Sequence, residues 1–361
     1  MPQDKPVVVI TGSNGLIGSA IATRFKDEFT LVGLDLGEQR QTSRVDAFLP
    51  CDLTRDDSVD AAVTHIQQRF GDRIASVIHL AAYYDFSGEP SDLYERVTVQ
   101  GTGRLVRALR RLIVEQFLFS STLLVHAPSQ PGEKITEDWP IEPKWDYPRS
   151  KVKTEALLRR ERGNMPVVLM RIAGVYDDRG HSIPVAQQIQ RIFERQVTSY
   201  VFPGDTSHGQ PFVHLDDLVH ACLLAVQRRR DLPAETTLLI GEPETLNYDE
   251  LQRLVGRLVH GEEWETRQIP KVVAKTGAWL QDNAPIGEDP FIKSWMIDLA
   301  DDHLELDISR ARTLLGWTPR HSLRESLPRI VAALKADPER WYRENKLELP
   351  SNPEKLKANT R

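Results

Sequence analysis

Cysteine is scarce: Cys51 and Cys222 are the only two in 361 residues. They stand far apart, with no metal-binding or redox spacing, which excludes a disulfide framework and predicts no metal site. Both thiols read as small buried hydrophobes in a reducing compartment. Long apolar runs are also missing. None approaches the ~20 residues a membrane-spanning helix needs, and the N-terminus lacks the basic-then-apolar pattern of a leader peptide. A cytoplasmic protein with no membrane partner is therefore expected. Neither sign of charge dominates, with 46 basic against 52 acidic side chains and a net charge of −6. That balance argues against nucleic acid as a partner. The run Arg228-Arg229-Arg230 reads as a solvated helix end, where cations suit the dipole. No repeat or low-complexity tract is present, so the 40% hydrophobic content is available for one sizeable core.

What the sequence does have begins at its first strand. Val7-Val8-Val9-Ile10-Thr11 is a short apolar and β-branched run, as in a fully buried strand. It runs into Gly12-Ser13-Asn14-Gly15-Leu16-Ile17-Gly18, with glycines at intervals of three. Leu16, Ile17, Ala20, Ile21 and Phe25 then recur at helical spacing. A glycine turn between strand and helix aims unpaired backbone N–H groups at a diphosphate and lets the backbone approach it closely. The second strand, residues 30–35, ends in Asp35, 17 residues beyond Gly18. A carboxylate there accepts hydrogen bonds from ribose hydroxyls and repels a 2′-phosphate, favouring NAD over NADP. Arg40 and Arg44 keep NADP as the lesser alternative.

Strand and helix patterns alternate through the first half. Further strands are expected near residues 47–51, 76–80, 116–120 and 166–171, with helices over 56–70, 92–112 and after Tyr147. Such alternation predicts an α/β fold, a Rossmann-type doubly wound parallel sheet. Residues 1–175 form the dinucleotide-binding domain, with returning segments about 212–241, where Asp216 is expected to cap a helix. Residues 176–211 and 242–334 form a smaller substrate-binding region, and 335–361 a tail, loosely ordered from about Leu349.

The chemistry centres on Tyr147-Pro148-Arg149-Ser150-Lys151, a tyrosine and a lysine four apart, on one face of a helix. A phenol with a pKa of about 10 is a poor acid–base group at neutral pH, and a nearby ammonium favours its ionised form. Pro148 fits only a first helical turn, which stands Tyr147 near the strand ends. Thr122, 25 residues earlier at a strand end, offers a hydroxyl to hold a reacting oxygen.

Together these motifs resemble the extended short-chain dehydrogenase/reductase family, also called the NAD-dependent epimerase/dehydratase family. The resemblance rests on Thr11-Gly12-x-x-Gly15-x-x-Gly18, Asp35, Asp52-Leu53, His79-Leu80-Ala81-Ala82, Ser120-Ser121-Thr122, Tyr147-x-x-x-Lys151, Arg171-x-x-x-Val175-Tyr176 and Phe212-Val213-His214-x-Asp216-Asp217. It implies Tyr147 as acid–base, Lys151 on the nicotinamide ribose and Thr122 on the reacting oxygen. It further implies cofactor contacts from Asn14, Leu16, Ile17, Asp52, Leu53, Ala81, Ala82, Tyr83, Thr98, Ile172 and Val175, and a homodimer. Leu105, Leu109, Leu112, Val152, Ala156 and Leu157 are candidates for the dimer's apolar stripes, or else face the sheet.

Departures from the family pattern narrow the activity. Leu123 and Leu124 stand where sugar-nucleotide dehydratases carry Asp-Glu. Gly174 replaces the asparagine and Gln210 the arginine that nucleotide-sugar epimerases use on the diphosphate, and Lys293 is the nearest cation to a third such position. Thr98 replaces an asparagine. Tyr84, Phe86 and Trp145, with Thr122 and Leu123, are candidate substrate contacts. The expectation is an NAD-dependent oxidoreductase that interconverts a secondary alcohol and a ketone on a small non-nucleotide substrate. The alternatives are a nucleotide-sugar 4-epimerase using the same residues and a non-catalytic NAD-binding protein.

Overall fold

Seven β-branched and apolar stretches become the parallel strands of one sheet: β1 Val7–Thr11, β2 Thr30–Asp35, β3 Ala47–Pro50, β4 Ser76–His79, β5 Phe117–Thr122, β6 Val167–Ile172 and β7 Glu235–Ile240. In this computed structural model residues 5–38, 44–85, 90–272 and 297–350 are described. Arg40, Phe86, Lys293 and the end of the expected tail, 351–361, lie outside them. The strand order is β7-β6-β5-β4-β1-β2-β3, every pairing parallel. The order reverses between β1 and β4, and ligands of such sheets bind in the crevice at that point.

Side chains alternate across the sheet with period two. Val8 and Ile10 face one core with α1 (Leu16–Phe25), while Val9 faces the other with α2 (Asp56–Phe70) and α3 (Gly101–Leu109). Ile21 and Phe25 of α1 are fully buried; each such side chain contributes roughly 1.5–3 kcal/mol relative to exposure. Leu105, Leu109 and Leu112 belong to the second core rather than to a surface stripe, as does the neighbouring Leu158. Of the apolar positions considered for a dimer contact on α4 (Asp146–Glu161), Leu157 is buried, Val152 is partly buried and Ala156 is exposed.

A third core lies under the C-terminal region, between α5 (Ile183–Phe193), α7 (Tyr248–His260), α9 (Leu323–Ala336) and α10 (Pro338–Glu344). The last of these corrects the tail boundary. Asp337 caps α10 by accepting the Arg340 N–H, proline opens it, and Trp341 and Tyr342 are buried. Two further differences are local. The helix over 92–112 is interrupted: Tyr94–Gln100 is wound as a π-helix before α3. Helix α6 (Leu215–Gln227) is capped not by Asp216 but by His214, whose Nδ1 accepts the Asp216 N–H at 3.2 Å. Helix α8 (Ser309–Leu315) completes the set named here. Cys51 and Cys222 are free and buried, as expected.

The glycine turn is packed without slack. A Cβ at Gly18 would press on the Gly12 carbonyl oxygen and come within 2.8 Å of Ser13 Cα. Gly18→Ala is expected to cost roughly 1–3 kcal/mol of stability, read as a lower urea midpoint at an unchanged slope; an unchanged midpoint would show that the turn has room.

Candidate active site

A cavity of about 1330 Å³ opens at the carboxyl ends of β1, β2, β4, β5 and β6. That exceeds the 300–1,000 Å³ usual for a single small ligand and leaves room for a dinucleotide plus a second molecule. One end is the glycine cradle. Gly12 has φ +70, a left-handed conformation suited to glycine, and a Cβ there would crowd the Ala81 N at 3.1 Å. No side chain caps α1, so its first amide groups are free to meet phosphate oxygens. Asp35 lies beside them: its carboxylate accepts the Asn14 and Leu36 N–H groups, each at 2.8 Å. Two hydrogen bonds leave acceptor capacity on these oxygens. A cradle that any side chain would fill, with a carboxylate at its rim, fits a dinucleotide.

The adjoining wall is held from behind by a buried chain of hydroxyls. Thr11 Oγ1 accepts the Leu80 and Ala81 N–H groups and hydrogen-bonds His79 Nδ1 at 2.7 Å. His79 Nε2 meets Thr102 Oγ1 at 2.8 Å, and Thr102 donates to the Thr98 carbonyl. Burial pushes the imidazole down to about 3, with the Lys151 charge adding to the effect. His79 is thus a neutral strut. Thr98 differs from its expected role. It is fully buried behind the cavity wall, where its hydroxyl accepts the Tyr83 N–H at 3.0 Å. The π-helical winding of Tyr94–Gln100 contains it.

The reacting end is built on α4 and β5. Tyr147 stands in the first turn of α4 beside Thr122, with the ring of Tyr84 5.0 Å away edge-on and that of Trp145 at 5.4 Å. Burial raises the phenol to about 12, while a hydrogen bond from the Thr122 side chain pulls it down. Lys151 is buried one turn further on; its Nζ donates to the Ser120 carbonyl at 2.8 Å and lies 5.6 Å from the Tyr147 ring centroid. Burial pushes this amine down to about 7, opposed by the Glu155 carboxylate. Desolvation outweighs the mutual stabilisation of phenolate and ammonium anticipated from their spacing.

Gly12, Asn14, Gly15, Leu16, Ile17, Gly18, Asp35, Asp52, Leu53, Ala81, Ala82, Tyr83, Ile172 and Val175 all border the cavity, as do Tyr84, Thr122, Leu123, Trp145, Tyr147 and Lys151. The sequence reading missed the far wall, formed by Gln187, Gln188 and Arg191 of α5, by Tyr248, and by the ion pair of Lys144 with Asp302. The polar face of α5, opposite Val185, Ile189 and Ile192, was the available signal.

Lys151 makes a testable contribution to stability. Its folded value, about 7, lies below the ordinary 10.5. Between those values the unfolded chain binds the extra proton, so this residue makes stability rise with pH. Urea unfolding of the cofactor-free protein from pH 6.5 to 9.5 should show the wild type gaining on Lys151→Met as pH rises. Parallel curves would contradict a depressed amine.

Comparison with known proteins agrees with this geometry. The model of the NAD dependent epimerase/dehydratase family matches residues 8–241. The chain is 28% identical to a UDP-glucose 4-epimerase of Mycolicibacterium smegmatis, over 90% of this chain and 96% of that protein. It is 21% identical to a decarboxylating sterol-4-alpha-carboxylate 3-dehydrogenase of Saccharomyces cerevisiae, over 90% of this chain and 97% of the other. Among solved structures, the Thermus thermophilus UDP-glucose 4-epimerase in complex with NAD superimposes with a TM-score of 0.67 at 21% identity, covering 92% of this chain and 99% of that one. The family match takes in more than half of the chain: this protein belongs to the NAD-dependent epimerase/dehydratase family and is an NAD-dependent enzyme of the extended short-chain dehydrogenase type.

Proposed function

We propose that the enzyme interconverts a secondary alcohol and a ketone and that, of the two substrate classes this chemistry serves, it acts on a nucleotide sugar as a 4-epimerase. The observation that carries the chemistry is the meeting of Thr122, Tyr147 and Lys151 on one wall of a cavity whose other end is the glycine cradle. Bound NAD supplies a hydride acceptor that can also return the hydride. Thr122 Oγ1 fixes the substrate oxygen, and Tyr147 removes its proton and later restores it. Lys151, tethered to the Ser120 carbonyl, holds its amine beneath the phenol. Asp35 receives the ribose hydroxyls at the opposite end.

The nucleotide-sugar class is supported by the UDP-glucose 4-epimerases among the relatives. A second reading, a dehydrogenase acting on a small non-nucleotide substrate, is favoured by one feature of this chain. Gly174 occupies the expected asparagine position, and a Cβ there would meet the Phe212 ring at 2.7 Å. Phe212 leaves no room for an asparagine side chain there, although Gly174 itself borders the cavity. Gln210, in place of an arginine, donates to the Asp302 carbonyl at 3.1 Å.

Tyr147→Phe should lower turnover by roughly 10²–10⁴-fold and leave NAD affinity unchanged, as measured by titration of the cofactor. Undiminished turnover would remove Tyr147 from the reaction. On a panel of nucleotide sugars, conversion of UDP-glucose to its 4-epimer is the expected result. If no sugar is epimerised while a simple alcohol drives net NADH release, the second reading replaces the first.

A further inference from the structure

The far wall of the cavity carries a positive charge that the reaction does not use. Helix α5 is two-faced: Val185, Ala186, Ile189, Ile192 and Phe193 pack into the C-terminal core, while Gln187, Gln188 and Arg191 line the cavity. Gln187 and Arg191 are one turn apart and so share a face. Gln188 is committed to Gln252, but its two neighbours are not. Arg191 Nε and Gln187 Oε1 are both buried and have no hydrogen-bond partner, and among the described residues no carboxylate pairs with Arg191. Lysine and arginine side chains elsewhere on the cavity border are engaged, the exposed Arg96 included. Lys144 pairs with Asp302, Arg96 with Asp92, and Lys151 donates to the Ser120 carbonyl. Lys346 also borders the cavity, from its exposed rim. Tyr248, stacked on Phe202 at 3.8 Å between centroids, lies near enough to Arg191 for the guanidinium charge to act on its phenol.

A guanidinium N–H withdrawn from water without an acceptor is unfavourable, and a native structure that keeps one calls for an explanation. An anionic ligand supplies it, because the guanidinium fork matches phosphate oxygens with paired, charge-assisted hydrogen bonds. We propose that Arg191, with Gln187 beside it, holds the diphosphate of the nucleotide substrate, so that this chain binds the anion from α5 rather than from the positions of Gly174 and Gln210. The inference rests on the nucleotide-sugar reading. It also explains how that reading survives the lack of an asparagine at position 174, where Phe212 leaves no room for one.

The test is calorimetric titration of the full-length, NAD-loaded protein with UDP and, separately, with uridine, which lacks the phosphates. Arg191→Met should weaken UDP binding by about tenfold or more, Arg191→Lys should recover part of the loss, and uridine should bind all three proteins equally. Equal UDP affinity in the wild type and Arg191→Met would overturn the assignment of Arg191 and leave the nucleotide reading standing. Equal losses for UDP and uridine would reduce Arg191 to a shaping role and overturn it too. A wild type that binds no UDP would overturn both the assignment and the reading beneath it.

Discussion

Catalytic geometry in this enzyme depends on one buried ion pair, between Arg171 of β6 and Glu155 of α4. Their side chains are 5% and 3% exposed and meet at two points, Nη2 to Oε2 at 2.7 Å and Nε to Oε1 at 3.1 Å. Burial pushes Glu155 up, but Arg171, with a hydrogen bond from Ser121, more than offsets this and holds the carboxyl below its ordinary range. The remaining guanidinium nitrogen reaches the Glu137 carbonyl and His126 Nε2. A buried pair of this kind is weak evidence for stability, since apolar residues of like volume often serve as well. Its consequence here is positional. It clamps α4 against β5 and β6 one turn beyond Lys151, which fixes how far Lys151 and Tyr147 stand from Thr122.

From that clamp the cavity divides into two halves with different physics. The cofactor half is made of backbone: glycines that admit phosphates, uncapped helical amides, and a hydroxyl-imidazole chain that locks residues 80–83. Little in it can vary without filling the space. The opposite half is made of side chains from several distant segments. Phe212 leaves no room for a side chain at Gly174; Tyr84 and Trp145 flank Tyr147, and α5 turns a polar face inward.

That division also explains what could be read from sequence. The strands, the glycine turn and the placement of Asp35, Thr122, Tyr147 and Lys151 at the strand ends and the first turns of α4 were legible because each is specified by neighbours a few residues away. Thr98 was not: its hydroxyl turns to Tyr83 because the helix is wound wider around it, which no local spacing announces. The cap of α6 fell to His214 rather than Asp216 because the strand ends one residue earlier than its composition suggests. Helix α10 was hidden in a charged segment whose Trp341 and Tyr342 only make sense against the third core. Arg191 was not singled out: the polar face of α5 is visible in the sequence, but only the fold turns it into a cavity rather than to solvent.

The central claim is that the hydride leaves the substrate and returns to it within one site. Counting the cofactor tests this most directly: the purified protein is denatured, the released dinucleotide identified, and its amount per chain measured alongside its exchange rate before denaturation. The account predicts close to one NAD per chain, exchanging slowly. An empty site that binds and releases NAD and NADH freely would contradict it and mark an enzyme that passes its hydride on to the cofactor pool.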